Sequence, residues 1–175
     1  MATGQELAEL FGPGGIVVLD EADSLANGVP ADAAEVLAEV GLPAYLDVLF
    51  TNDIGAEPAE FSIVPVDAGD ERVAVLVLGR PTDDQGMRYA LDLRNGCVIL
   101  LSLGEEPAAE VVNTTLADFV EFLYRVALRL TETEHASDEQ RAAYDRRLRA
   151  HLRDRDPLAF AQPDTWWSMI FDHLV

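Results

Sequence analysis

The stretch from Val73 to Leu130 sets the strongest limits on what this chain can fold into. Val73-Ala74-Val75-Leu76-Val77-Leu78 is an unbroken, short, β-branched apolar run, which suits a strand with both faces covered. Arg88-Tyr89-Ala90-Leu91-Asp92-Leu93 alternates, with Tyr89, Leu91 and Leu93 on one face. Asn95-Gly96 follows, the dipeptide that most readily supplies the two positive φ angles of a type I′ turn, and it predicts a tight hairpin. Cys97-Val98-Ile99-Leu100-Leu101 is the returning strand. After a Gly-Glu-Glu-Pro break, Asn113-Thr114-Thr115 opens a helix with Leu116, Phe119, Val120, Leu123, Ala127 and Leu130 on one stripe. Thr115 and Asp118 have the spacing of a capping box, although Asp reaches back less well than Glu. Strands with a helix able to lie across them are the minimum that can hold a core.

The flanking segments add elements of lower contrast. Leu7, Leu10 and Phe11 give a weak helical pattern that stops at Gly12-Pro13-Gly14-Gly15. That glycine cluster lacks the Gly-Lys-Ser/Thr of a phosphate loop and precedes a strand instead of following one, so it reads as a turn. Ile16–Leu19 is a short strand, and Asp20-Glu21-Ala22-Asp23 is expected to be a solvated acidic loop, without the Gly and closing Glu of a calcium loop. A helix begins at Ala31-Asp32, carries Ala33, Val36, Leu37 and Val40, and ends at Gly41 before Pro43. Tyr45 to Thr51 reads as one strand, 52 to 60 as loop, and Phe61 to Val66 as an edge strand because Pro65 cannot donate to a ladder. Residues 81 to 86 form a polar connector. Ser137 and Gln140 make a second capping box ahead of a helix from Asp138 to about Arg153, with Tyr144, Leu148 and Leu152 on a narrow apolar face. Asp156-Pro157 breaks it, and a last helix from near Asp164 carries Trp167, Ile170, Phe171 and Leu174. The expected organisation is one domain over 1–175, with 137–175 as its C-terminal helical part.

Charge is distributed unevenly. Residues 1 to 71 hold fifteen Asp or Glu and no Lys, Arg or His, and the remainder holds seventeen acids against twelve Arg, for a net charge of −20. A field of this sign repels nucleic acid and anionic lipid and attracts basic partners; its plain alternative is solubility. The helix from Asp138 carries six of the twelve arginines among several acids, and it reads as a helix with i, i+4 pairing instead of a nucleic-acid arm. No apolar run approaches the ~20 residues of a membrane span. The N-terminus lacks the basic start of a secretion signal, so the expected compartment is the cytoplasm, and Asn113-Thr114-Thr115 is discounted as a glycosylation site. The single cysteine, Cys97, allows no internal disulfide and fits a reducing compartment.

The residues that carry chemistry form no constellation. His135, His151 and His173 have no metal-ligand spacing and read as surface histidines. Cys97 lies in an apolar strand with no local base or positive group, and reads as packing rather than a nucleophile. Carboxylates are so abundant that pairs arise by chance. No nucleophile elbow and no dinucleotide fingerprint is present. The expectation is a protein without catalytic residues, cofactor or metal.

Several ordered segments resemble those of the SUKH superfamily, in particular its fourth subfamily, common in actinobacteria. Glu39-Val40-Gly41-Leu42-Pro43 closes the first long helix, followed by the Val73–Leu78 strand. Tyr89 to Val98 is similar to the family's hydrophobic-Asp-x-x-x-Gly-x-Val hairpin. Val112-Asn113-Thr114-Thr115-Leu116-Ala117-Asp118-Phe119 is similar to its Asn-Ser/Thr-Ser/Thr-hydrophobic-x-x-Phe helix start, and Trp166-Trp167 fits its C-terminal region. Order and spacing carry the likeness, from about residue 16 onward. The resemblance implies an α+β fold with a twisted, mostly antiparallel sheet backed by helices. It implies an immunity protein that binds and neutralises a cognate bacterial toxin, often a nuclease or nucleic-acid deaminase, through a variable surface. The expected partner is thus a basic protein toxin, with no nucleic acid or membrane, and the expected state a monomer or weak dimer. The acids expected to face it lie on turns: Asp67, Asp70, Glu71, Asp83, Asp84, Glu105 and Glu106. A non-enzymatic regulatory or scaffold module, as in eukaryotic members of the superfamily, is the alternative.

Overall fold

The computed structural model describes residues 1–175 apart from 13, 48, 54, 56, 69, 70, 105–107 and 175, and also leaves the side chains of 68 and 174 undescribed. In chain order the elements are α1 (Gly4–Phe11), β1 (Ile16–Val17), α2 (Glu21–Ala26), α3 (Ala31–Glu39), β2 (Leu42–Pro43), β3 (Tyr45–Leu46), β4 (Phe50–Thr51), β5 (Ile63–Ala68), β6 (Glu71–Gly79), β7 (Met87–Asp92), β8 (Val98–Ser102), β9 (Ala108–Asn113), α4 (Leu116–Glu132), α5 (Asp138–Arg155), a 3-10 turn (Pro157–Phe160) and α6 (Trp166–Leu174). The main sheet runs β5-β6-β7-β8-β9, every neighbour antiparallel. This is the expected α+β arrangement, with Pro65 on an edge strand where its missing N–H breaks no internal ladder.

The alternation read from β7 places Tyr89 and Leu91 on the helix side, together with Leu76 and Leu78 of β6 and Leu100 of β8. There α4 lies against them. The rings of Tyr89 and Phe119 stand 5.1 Å apart and Phe50 is 5.8 Å from Tyr89. The buried Tyr89 hydroxyl donates to the Leu49 carbonyl at 3.1 Å. Helix α4 is buried more widely than one stripe. Phe122 and Val126 are also inside, and Phe122 packs 5.1 Å from the Trp167 ring, so the sheet covers one flank of α4 and the C-terminal helices cover another.

The second face of the sheet carries a smaller cluster of Val75, Ala90, Ile99 and Leu101, with Val64, Val66, Val73 and Cys97 packed against it. Pro65 and Val66 of β5 line one cavity of about 290 Å³ with Leu101 of β8 and Ala108 and Ala109 of β9. In a flat sheet β5 and β9 would stand roughly 19 Å apart. A shared cavity of this size means that the sheet curls, which accounts for the burial of Val75 and Leu101.

Several expectations are corrected. The acidic segment 20–23 is not a loop but the start of α2, because Asp20 caps the helix by accepting the Asp23 N–H at 2.9 Å. Tyr45 to Thr51 is not one strand but a hairpin of β3 and β4, closed where the Leu49 N–H donates to the Leu46 carbonyl at 3.1 Å. Strand β9 has no counterpart in the reading of the sequence. The Asn95-Gly96 turn is not type I′: Gly96 has φ 73°, whereas Asn95 is not among the described residues with positive φ. Instead Asp92 Oδ1 accepts the N–H groups of Arg94 (2.8 Å) and Asn95 (3.2 Å), wrapping a longer loop. Among the described residues the arginines of α5 make no i, i+4 ion pair; within the helix Arg141 stands 3.8 Å from Asp138 at i, i+3. Arg149 reaches Asp172 of α6 at 2.6 Å and Arg155 reaches Asp118 of α4 at 2.7 Å. Asp145 of α5 in turn takes Arg129 of α4 in a buried two-pronged bridge at 2.8 and 2.9 Å.

The join between sheet and C-terminal helices is polar and buried. Asp156, 2% exposed, accepts from Asn113 Nδ2 (3.0 Å), the Thr114 N–H (2.8 Å) and Thr114 Oγ1 (2.7 Å). Asn113 Oδ1 in turn accepts from Trp167 Nε1 at 2.9 Å. Truncating Asp156 strands the buried Asn113 amide and unties Thr114, so Asp156→Ala should cost about 3 kcal/mol, read as a lowered urea midpoint, while Thr114→Val should cost about 1 kcal/mol.

Glu121 gives a pH-dependent term. It is buried on α4; burial pushes its pKa up, but the Arg125 guanidinium at 2.8 Å and the Ala2 N–H outweigh this and hold it below the ordinary value of 4.5. Its stabilisation is therefore complete above 4.5 and lost as pH falls through the depressed folded value. Urea midpoints from pH 7 to pH 3 should show Glu121→Gln less stable than the parent at neutral pH, with the gap narrowing only in the acid range.

Candidate functional site

The acids singled out on turns do not form one patch. Asp67 and Glu71 lie at one end of the sheet and both have cations beside them: Arg72 Nε is 3.8 Å from Asp67, and Arg94 pairs with Glu71. Asp83 and Asp84 lie in the connector at the opposite end. Strand β6 separates the two ends over nine residues, roughly 27 Å at about 3.4 Å per residue. Asp83 is exposed, and Asp84 Oδ1 accepts the Gly86 N–H at 2.7 Å. Asp70, Glu105 and Glu106 lie outside the described residues.

A different group of acids converges on a groove. The N-terminal turn of α2 brings Asp20 and Asp23 to the rim of a groove of about 350 Å³ that runs between α2 and β5. Leu19, Val29, Phe61, Ile63 and Leu76 make its floor. Ser24 also lines it, only 6% exposed, and its hydroxyl makes no hydrogen bond among the described residues. Phe61 holds a left-handed φ of 55° while its N–H donates to the Val77 carbonyl at 2.7 Å. This conformation is costly for a bulky residue, and it places Phe61 in the lining of the groove. Glycine is needed nearby at Gly41, with φ 78°, where a Cβ would stand 2.6 Å from the Val17 carbonyl oxygen; this contact ties α3 to β1, the strand that leads into α2. Reading the segment as loop hid the groove. The available signal was Asp20 three residues before Asp23, a helix cap.

The acids from Glu9 to Glu60 form no ion pair among the described residues. Several arginines, by contrast, are engaged by the protein's own groups. Arg88 is 1% exposed and donates to the Gln85 and Met87 carbonyls, each at 2.8 Å. Arg80 donates to the Pro81 and Thr82 carbonyls at 2.9 and 2.7 Å. His135, His151 and His173 are exposed, and among the described residues no group of His, Cys, Asp and Glu is placed to hold a metal. Burial, with Asp92 adding to it, pushes the Cys97 thiol up, away from the reactive thiolate. Among the described residues no helix is long and apolar enough to cross a membrane.

Fold and surface together define an α+β scaffold in which the acids from Glu9 to Glu60 stay unpaired among the described residues, while several arginines are engaged by the protein's own carboxylates and carbonyls. The model of the SUKH-4 immunity protein family matches residues 2–173, and the chain belongs to that family. No curated protein and no solved structure gives a significant match.

The Asp20 carboxylate serves α2 as a cap, which separates its structural role from its charge. Asp20→Asn should leave the urea midpoint unchanged, because Asn caps equally well, whereas Asp20→Ala should cost about 1 kcal/mol.

Proposed function

We propose that this protein neutralises a basic toxin of the nuclease or nucleic-acid deaminase class by binding it in a stoichiometric complex and covering the surface on which nucleic acid would lie. The carrying observation is the charge asymmetry within an immunity-protein scaffold: fifteen acids and no cationic side chain over residues 1 to 71. A protein that handles nucleic acid is basic where phosphate sits, and an acidic partner can compete for that ground while long-range attraction speeds its arrival. The turn acids Asp67, Glu71, Asp83 and Asp84, with Asp70, Glu105 and Glu106, remain proposed as rim charges, and such charges act chiefly on association rate.

The test is co-expression with the toxin gene beside this one. Protection of the cells and recovery of a one-to-one complex are expected, with an association rate that falls as salt is raised from 50 to 500 mM and the Debye length shrinks to a few ångströms. Loss of both protection and complex would overturn the immunity reading.

A further inference from the structure

We infer that the groove between α2 and β5 is a socket for an arginine of the partner, presented on a short apolar segment; the inference rests on the immunity reading for the identity of that partner. The groove has the two halves that an arginine side chain requires. Its floor, with Leu19, Phe61 and Ile63, suits the aliphatic stem, and its rim, with Asp20 and Asp23, suits the guanidinium. Asp20 keeps an oxygen for an incoming donor, since Oδ1 alone is used on the Asp23 N–H. The Ser24 hydroxyl lies between floor and rim, 6% exposed and without a hydrogen-bond partner among the described residues. A guanidinium, which only donates, would meet both the hydroxyl oxygen and the carboxylates. Five donors in a planar fork can serve two carboxylates at once, which the single ammonium of lysine does less well. The surroundings suit an apolar segment on either side of that arginine: Ile63 is 39% exposed in the groove, and Leu25, next to Ser24, is 44% exposed.

The volume and the charge argue against other occupants. About 350 Å³ is ample for one long side chain and too little for a folded element. An anion would face two carboxylates, with no cationic side chain among the described residues of the lining to receive it.

The experiment uses the full-length protein and a blocked tripeptide, acetyl-Val-Arg-Val-amide, as probe, followed by amide chemical shifts. Shifts are expected at Asp20, Asp23, Ser24, Phe61 and Ile63, with binding weakened by about tenfold or more when citrulline replaces the arginine. Asp20→Asn combined with Asp23→Asn keeps the cap and removes the charge; it should retain the parent's melting temperature and lose the probe by a similar factor. Ser24→Leu fills the groove without altering charge and should also abolish the shifts. Shifts that map elsewhere, or equal binding of the citrulline probe, overturn the socket. The toxin complex supplies a second arm. If the parent binds toxin and the folded double variant binds it equally well, the socket is overturned and the immunity reading stands. If the parent binds no toxin, the immunity reading is overturned and the tripeptide alone decides whether the groove takes a guanidinium.

Discussion

The buried carboxylate of Asp156 holds the two parts of this fold in register. It closes α5, yet its three hydrogen bonds go to Asn113 and Thr114 at the junction of β9 and α4, more than forty residues earlier. Asn113 passes the connection to the Trp167 indole on α6. A charge in the interior is tolerated only when its lone pairs are satisfied, so this site admits one relative placement of sheet edge, central helix and C-terminal helices. The packing that follows is apolar and less selective: Phe122 against Trp167, and Phe160 against Phe171. Apolar contacts set how strongly the layers adhere, and the Asp156 network sets where.

The network also explains why some of the fold could be read in the sequence and some could not. Long periodic elements announced themselves. The β6 run, the alternation of β7, α4 and the capping box of α5 all depend on local spacing, and each stands where spacing placed it. Asn113-Thr114-Thr115 was legible as a helix start, but its second role needs Asp156, which no local pattern connects to it. Strand β9 was missed because Ala108-Ala109-Glu110 lacks β-branched residues; it is held by pairing with β8 and by Glu110, which accepts the Trp166 N–H at 2.6 Å. The hairpin after β7 shows local propensity overruled by a neighbour: Asn95-Gly96 favours type I′, and the Asp92 side chain imposes a wider loop.

The candidate site was less legible than the fold. Turn acids could be recognised as exposed, and Asp67 and Asp83 are exposed, but exposure does not reveal that β6 holds two of the turns far apart. The α2 groove needs residues from 19 to 76 brought together, through a helix whose only buried member is Ser24. Six residues with so little apolar periodicity cannot be told from a loop by pattern.

Charge links these two levels. A chain with twelve arginines and thirty-two acids could have neutralised itself patchily over its surface. Here the geometry gives several of the cations structural tasks. Arg129 fills a buried bridge to Asp145, Arg149 and Arg155 fasten α5 to its neighbours, and Arg80 and Arg88 satisfy backbone carbonyls. Those arginines make the C-terminal half cohere, whereas the acids from Glu9 to Glu60 form no ion pair among the described residues. Separating the charges in sequence lets one set build the scaffold and leaves the other free to act at long range. A substitution in α5 is therefore expected to act on stability, and one in α2 on encounter with a partner.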